Sequence, residues 1–133
     1  MRGMVAGVVV ALLLAGAAFG ASSGGKKDEG PEDEAWKMYV RGQELLNEGD
    51  YQAALKSFRE AHKRDKQKAE YLNMVAYTQR KTGDLSGAFE AYGRVLGMKP
   101  EFAQAREYLG EAHLQAVLHE LDVLRGYGEE GEK

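Results

Sequence analysis

The residues with the means to do chemistry are few. His62, His113 and His119 are the only histidines, and so the natural candidates for proton transfer or metal ligation. His113 and His119 stand six apart, which puts them on different faces of a helix, and His62 is alone in the sequence. Cysteine is absent, so there is no thiol nucleophile, disulfide or cysteine metal site. No serine, histidine and acid fall into a triad-like arrangement. Gly126-Tyr127-Gly128-Glu129-Glu130-Gly131 spells the glycine spacing of a dinucleotide-binding loop. That motif needs a strand before it and a helix after it, and the sequence pattern supplies neither. These residues predict a non-enzymatic protein with no catalytic residues, cofactor or metal site.

Charge narrows the choice of partner. The formal net charge is −3, so no global basic field favours nucleic acid. Lys56, Arg59, His62, Lys63, Arg64, Lys66 and Lys68 form a basic run, diluted by Glu60 and Asp65. Without interleaved aromatic residues it offers no stacking platform for bases. It reads as a solvated helix face, with contact to an acidic membrane surface as the lesser alternative.

The N-terminal residues read as an export segment. Met1-Arg2 is a short positive start, and an apolar run follows over 5–19, ending in the small residues of Ala18-Phe19-Gly20. This is the pattern of a cleaved signal peptide over 1–20, and the run is shorter than the ~20 residues of a spanning helix. The expected location is periplasmic or secreted; an uncleaved segment would instead leave an N-terminal membrane anchor. No cysteine follows to carry a lipid. Residues 21–33 are polar and glycine-rich and read as a flexible linker.

Whatever this protein binds must be positioned by helices. Gly49-Asp50-Tyr51 and Gly83-Asp84-Leu85 lie 34 residues apart, each between two amphipathic helical patterns. Each reads as the turn of a helix hairpin, with the aspartate capping the second helix. The first helix is expected to start near Glu32 to Glu34, where carboxylates suit its positive end. Ala54 and Phe58, four apart, share a face of the second helix, and Ala88 and Tyr92 repeat the pattern. Gly93 and Gly97 predict fraying toward Met98. In a third unit the turn should fall at Val117-Leu118, yet no turn residue lies between Gly110 and Gly126. Leu114, Val117, Leu121 and Leu124 are spaced 3, 4 and 3, with Leu118 beside them. That stripe predicts one helix over 101–125, roughly 36 Å long, ended by Gly126. A break near Gln115, folding the remainder back as a cap, is the alternative.

These residues resemble the tetratricopeptide repeat family, whose unit is a 34-residue helix hairpin. The small residue of the family's first helix corresponds to Gly42, Ala76 and Gly110. Its second-helix pair corresponds to Ala54 with Phe58 and Ala88 with Tyr92, and its closing proline to Pro100. Arg41, Gln79 and Lys66 depart from the family's Leu, Tyr and Pro, which predicts looser packing of the first unit's outer side. Leu72-Asn73-Met74-Val75-Ala76-Tyr77 with Arg80-Lys81-Thr82-Gly83-Asp84 is similar to small exported bacterial members.

The resemblance implies an all-α fold of about two and a half tetratricopeptide-like hairpins with a C-terminal capping or extended helix. The expected organisation is a repeat domain over 34–125, in units 35–68, 69–102 and 103–125, then an acidic tail over 126–133. It also implies a protein-binding scaffold whose first helices line a concave groove. By register the lining is Tyr39, Gln43, Asn47, Asn73, Tyr77, Arg80, Lys81, Glu107 and Glu111. Tyr39, Gln43, Gln104 and Tyr108 do not reproduce the basic and Asn pairs with which some members clamp a C-terminal carboxylate. Leu114, Val117, Leu118, Leu121 and Leu124 are the candidate association helix, for a homodimer or a partner helix, with a capping role as the alternative. A homo-oligomeric accessory subunit of an envelope complex is the second functional reading.

Overall fold

The computed structural model describes residues 30–131. The signal segment and most of the linker expected at the N-terminus lie outside these residues, as do the last two positions of the tail. Five helices follow in order: α1 (Pro31–Asn47), α2 (Tyr51–Arg64), α3 (Ala69–Lys81), α4 (Leu85–Met98) and α5 (Ala103–Gly131). No helix among the described residues is long and apolar enough to cross a membrane.

The Gly-Asp turns work by two mechanisms at once. Gly49 and Gly83 adopt φ of 81° and 88°, the left-handed region that glycine enters without penalty. Each glycine N–H returns to a carbonyl of the helix just ended, Leu46 for Gly49 and Arg80 for Gly83. The next residue's N–H reaches one residue further back, Asp50 to Leu45 O and Asp84 to Gln79 O, each at 2.9 Å. This double closure satisfies carbonyls that the helix end would leave bare. The same aspartate then opens the next helix: Asp50 Oδ1 accepts from Ala53 N–H at 3.0 Å, and Asp84 Oδ1 from Gly87 N–H at 2.9 Å. One dipeptide therefore ends one helix and caps the following one, which folds the pair into a hairpin.

Small residues let the hairpin helices approach. A Cβ on Gly42 would sit 2.5 Å from the Phe58 ring, so the ring occupies the place of a side chain. Ala54, Phe58, Ala76, Ala88, Tyr92 and Val95 are buried in one core with Leu45, Leu55, Leu72, Val75, Ala105 and Ala112. A second cluster of Ala35, Ala61 and Tyr71 joins α1, α2 and α3. The departures from the family pattern do not leave the first unit's second helix loose, since Ala54, Leu55, Phe58 and Ala61 are all buried. Gln79 is buried and donates to Asp84 Oδ2 at 2.8 Å, so this departure reinforces the second turn.

Three expectations about helix ends need correction, and the alternative of a break near Gln115 falls away. Helix α1 begins at Pro31, ahead of Glu32, because proline needs no N–H partner at the first helical position. Helix α4 keeps its last turn through Met98, closed by Lys99 N–H to Val95 O at 2.8 Å. Helix α5 is unbroken at Gln115 and continues past Gly126 to Gly131. Much of the expected acidic tail is therefore helix, and the dinucleotide-like glycine pattern lies within it. No proline or left-handed glycine stops α5; a helical glycine costs about 1 kcal/mol, against the bond gained with each added residue.

Candidate functional site

The first helices of the units, α1, α3 and α5, form one layer, tied together through aromatic and polar side chains. Tyr39 is the hub between α1 and α3. Its ring lies 5.0 Å from Tyr71, 5.7 Å from Phe58 and 5.5 Å from Trp36, on which it stacks. Trp36 is 56% exposed, although Tyr39 supports one face of its ring. Trp36, Tyr39, Gln43, Lys68, Glu70 and Tyr71 line a cleft of about 370 Å³. Gln43 Nε2 donates to Tyr39 Oη at 3.0 Å. Burial, with Glu70 nearby, pushes the Tyr39 phenol above its ordinary range, so the ring stays neutral. Lys99 Nζ donates to Glu70 Oε1 at 2.9 Å, and that bond holds the Glu70 carboxyl below its usual value. An ion pair thus sits on the rim of an aromatic cleft.

The α3–α5 junction is a second cluster. Tyr77 and Tyr108 have ring centroids 4.9 Å apart, and the Arg80 guanidinium lies over both at 5.4 and 5.9 Å. Arg80 also donates to Glu111, which fixes α5 to α3. Beneath it lies Tyr92, fully buried, whose phenol burial pushes up to about 12 against the opposing pull of Arg80. Asn73 Nδ2 donates to Gln104 Oε1 at 3.1 Å, and Gln104 Nε2 donates to Tyr108 Oη at 3.1 Å.

The expected lining residues therefore have three fates. Tyr39, Tyr77 and Glu111 are in the two clusters, with Gln43 on the first and Arg80 in the second. Lys81 is exposed with its ammonium 5.7 Å from the Tyr77 ring centroid, and Asn47 and Glu107 are exposed on the same helices. Asn73 differs: it is 1% exposed and joins α3 to α5 instead of facing outward. Helix α3 has neighbours on both sides, so a residue in the lining register is covered there. Sequence reasoning missed Trp36 and Tyr71 as site residues. Trp36 lies three before Tyr39, a spacing that places both on one helix face.

The basic run is exposed except at His62, as expected of a solvated face, and part of it borders a cleft. Arg59, His62, Lys63 and Lys66 meet Arg94 and Glu90 of α4 around a second cleft of about 400 Å³. Its floor includes Leu72, Val75 and Gln79. Partial burial, with Arg94 and Lys66 close by, pulls His62 below its ordinary value. Among the described residues no three His, Asp or Glu are grouped as metal ligands would be.

Leu114, Val117, Leu118, Leu121 and Leu124 lie along the part of α5 that extends beyond the other helices, and each is more than half exposed. The opposite face of α5 packs into the core through Ala105 and Ala112, backed by Phe102, Tyr108 and Leu109.

Comparison with known proteins gives a consistent result. A tetratricopeptide repeat family model matches residues 39–96 and again residues 76–123. No curated protein matches the chain. The two overlapping matches run from within α1 through α4 and into α5, well over half the chain. With the 34-residue turn interval, the Gly42–Phe58 contact and five helices in hairpin order, the chain belongs to the tetratricopeptide repeat family, a non-catalytic fold that mediates protein–protein interaction.

Proposed function

We propose that this protein is an exported interaction module that binds an extended segment of another protein across the face formed by α1, α3 and α5. The observation that carries the reading is Trp36, more than half exposed and stacked on Tyr39 at the mouth of the Trp36–Tyr39–Tyr71 cleft. A rigid aromatic wall of this kind suits an apolar anchor side chain, with large contact area at little entropic cost. Gln43 on α1 and Gln104 on α5 are exposed and carry amide groups able to meet a peptide backbone in either sense. Export rests on the charged start, apolar run and small-residue end of positions 1–20. Without cleavage that segment would serve as an anchor. Once cleaved, the protein would work as a periplasmic or secreted scaffold, without chemistry of its own.

Selection from a random peptide display library on the purified chain tests the reading. The expected peptides carry an aromatic or branched aliphatic anchor and are displaced by one another. They should fail to bind a Trp36→Ala, Tyr39→Ala variant that retains its helical spectrum. Selected peptides that bind that variant unchanged would contradict the assignment.

A second reading, a structural subunit that assembles with itself, is favoured by the exposed aliphatic stripe of α5.

A further inference from the structure

We propose that α5 is one half of an antiparallel two-helix seam, and that a second copy of this chain supplies the other half, completing the third hairpin that the chain leaves open. This goes beyond peptide binding at the α1–α3–α5 face and uses another face of α5, which meets the first at Glu111.

In the first unit, the face of α1 that carries Gly42 is covered by α2, with Phe58 at the glycine. In the second, Ala76 of α3 is buried in the core that holds Tyr92 of α4. Gly42 and Phe58 are equidistant in sequence from Asp50, as Ala76 and Tyr92 are from Asp84. The third small residue is Gly110, and a Cβ there would meet nothing within 4 Å. The corresponding centre is Leu118, where α5 runs straight through. The face that a second helix should cover is therefore bare, and the stretch that would have covered it points away as the rest of α5.

The pattern on that face is self-complementary. Positions 110, 114, 117, 121, 124 and 128 follow the spacing 4, 3, 4, 3, 4, which reads the same in both directions. They form one stripe along the helix, with glycine at each end and Leu, Val, Leu and Leu between. An antiparallel pairing centred on position 119 sets Leu114 against Leu124 of the second copy, Val117 against Leu121, and Gly110 against Gly128. The two glycines let the helix backbones come close at both ends of the seam. The centre falls within one residue of the missing turn, so the pairing reproduces the facing of an ordinary third hairpin between two chains.

The flanks accommodate the same orientation. Glu111, Leu118 and Arg125 lie seven apart on one side of the stripe. Antiparallel pairing brings Glu111 of each copy near Arg125 of the other, with the two Leu118 side chains between. Glu111 remains 46% exposed while bound to Arg80, and Arg125 pairs with Asp122 of its own helix at an exposed position. On the other flank Glu120 faces its own copy, the one like-charge contact, at a solvated rim. Each helical body packs on the opposite face of its own α5, through Ala105 and Ala112, so neither obstructs the seam. The seam is about 27 Å long at 1.5 Å per residue. A contact of that length lies toward the small end of stable interfaces, so dissociation on the order of micromolar is expected.

Sedimentation velocity of the purified chain over a hundredfold concentration range is the first test. A concentration-dependent dimer is expected, abolished by Leu121→Glu and strengthened roughly twofold or more by Glu120→Gln. Register is tested by cross-linking, since the chain has no cysteine of its own. Leu114→Cys and Leu124→Cys chains, mixed and oxidised, should give a disulfide-linked heterodimer, while each alone cross-links poorly. A monomer at every concentration, a dimer that survives Leu121→Glu, or preferential cross-linking of each cysteine variant with itself would overturn the proposal. Leu121→Glu should retain binding to peptides selected on the Trp36 face, which separates failure of the seam from failure of the groove.

Discussion

Single side chains set the boundaries of this fold. Asp50 and Asp84 occupy the same place in their turns but have different partners. Asp50 accepts from Ala53 N–H, whereas Asp84 accepts from Gly87 N–H and from the buried Gln79 amide. Asp50→Ala should lose about 1 kcal/mol of unfolding free energy, an ordinary capping loss. Asp84→Ala should lose more, because it also leaves the Gln79 amide unpaired in the interior. Urea denaturation of both variants gives the comparison. The Gly87 N–H, and next the Gln79 amide, hold the Asp84 carboxyl below its ordinary value. Its stabilisation is therefore fully present above the ordinary aspartate range and is lost as pH falls through the lowered value. Asp84→Asn should flatten that part of the acid limb. Tyr92 behaves in the opposite sense. Its phenol is raised to about 12, so its contribution is complete below the ordinary tyrosine value near 10 and disappears as pH rises toward 12. The Tyr92 hydroxyl has no hydrogen-bond partner of good geometry. Tyr92→Phe should therefore be close to neutral at pH 7 and extend stability into alkali, as thermal melts across pH will show.

At the scale of elements, the contrast is between glycines that fill a contact and glycines that do not. Gly42 lies against the Phe58 ring, while a Cβ at Gly93 would meet nothing within 4 Å. Gly42→Ala should destabilise by about 1–3 kcal/mol through overpacking. Gly93→Ala should stabilise by about 1 kcal/mol through helix propensity alone. Paired thermal and urea denaturation should give opposite signs. The hairpins were legible in the sequence because glycine and aspartate at a turn report local backbone requirements. The ends of α4 and α5 were not, because propensity is a weak guide where packing or continued hydrogen bonding decides. Asn73 was misjudged for a related reason: register identifies the face of α3, but coverage of that face depends on a neighbour 31 residues away, Gln104. Trp36 was missed although its spacing from Tyr39 was visible. The resemblance assigned the lining by position and gave no place to a residue one turn earlier.

The whole molecule is a short array with two different surfaces to offer. The layer of α1, α3 and α5 presents an aromatic cleft with an ion pair on its rim, and the far half of α5 presents bare aliphatic residues. A repeat array needs its ends covered, and here the C-terminal end lacks the second helix that would do so. The central claim is that a protein segment binds the first-helix layer while the opposite basic cleft takes no part. Calorimetric titration of one selected peptide into three proteins tests it most directly: the parent chain, Trp36→Ala with Tyr39→Ala, and Arg59→Glu with Arg94→Glu. The account predicts at least a tenfold loss of affinity for the first variant and an unchanged value for the second. Full affinity in the first variant, or a loss confined to the second, would contradict it.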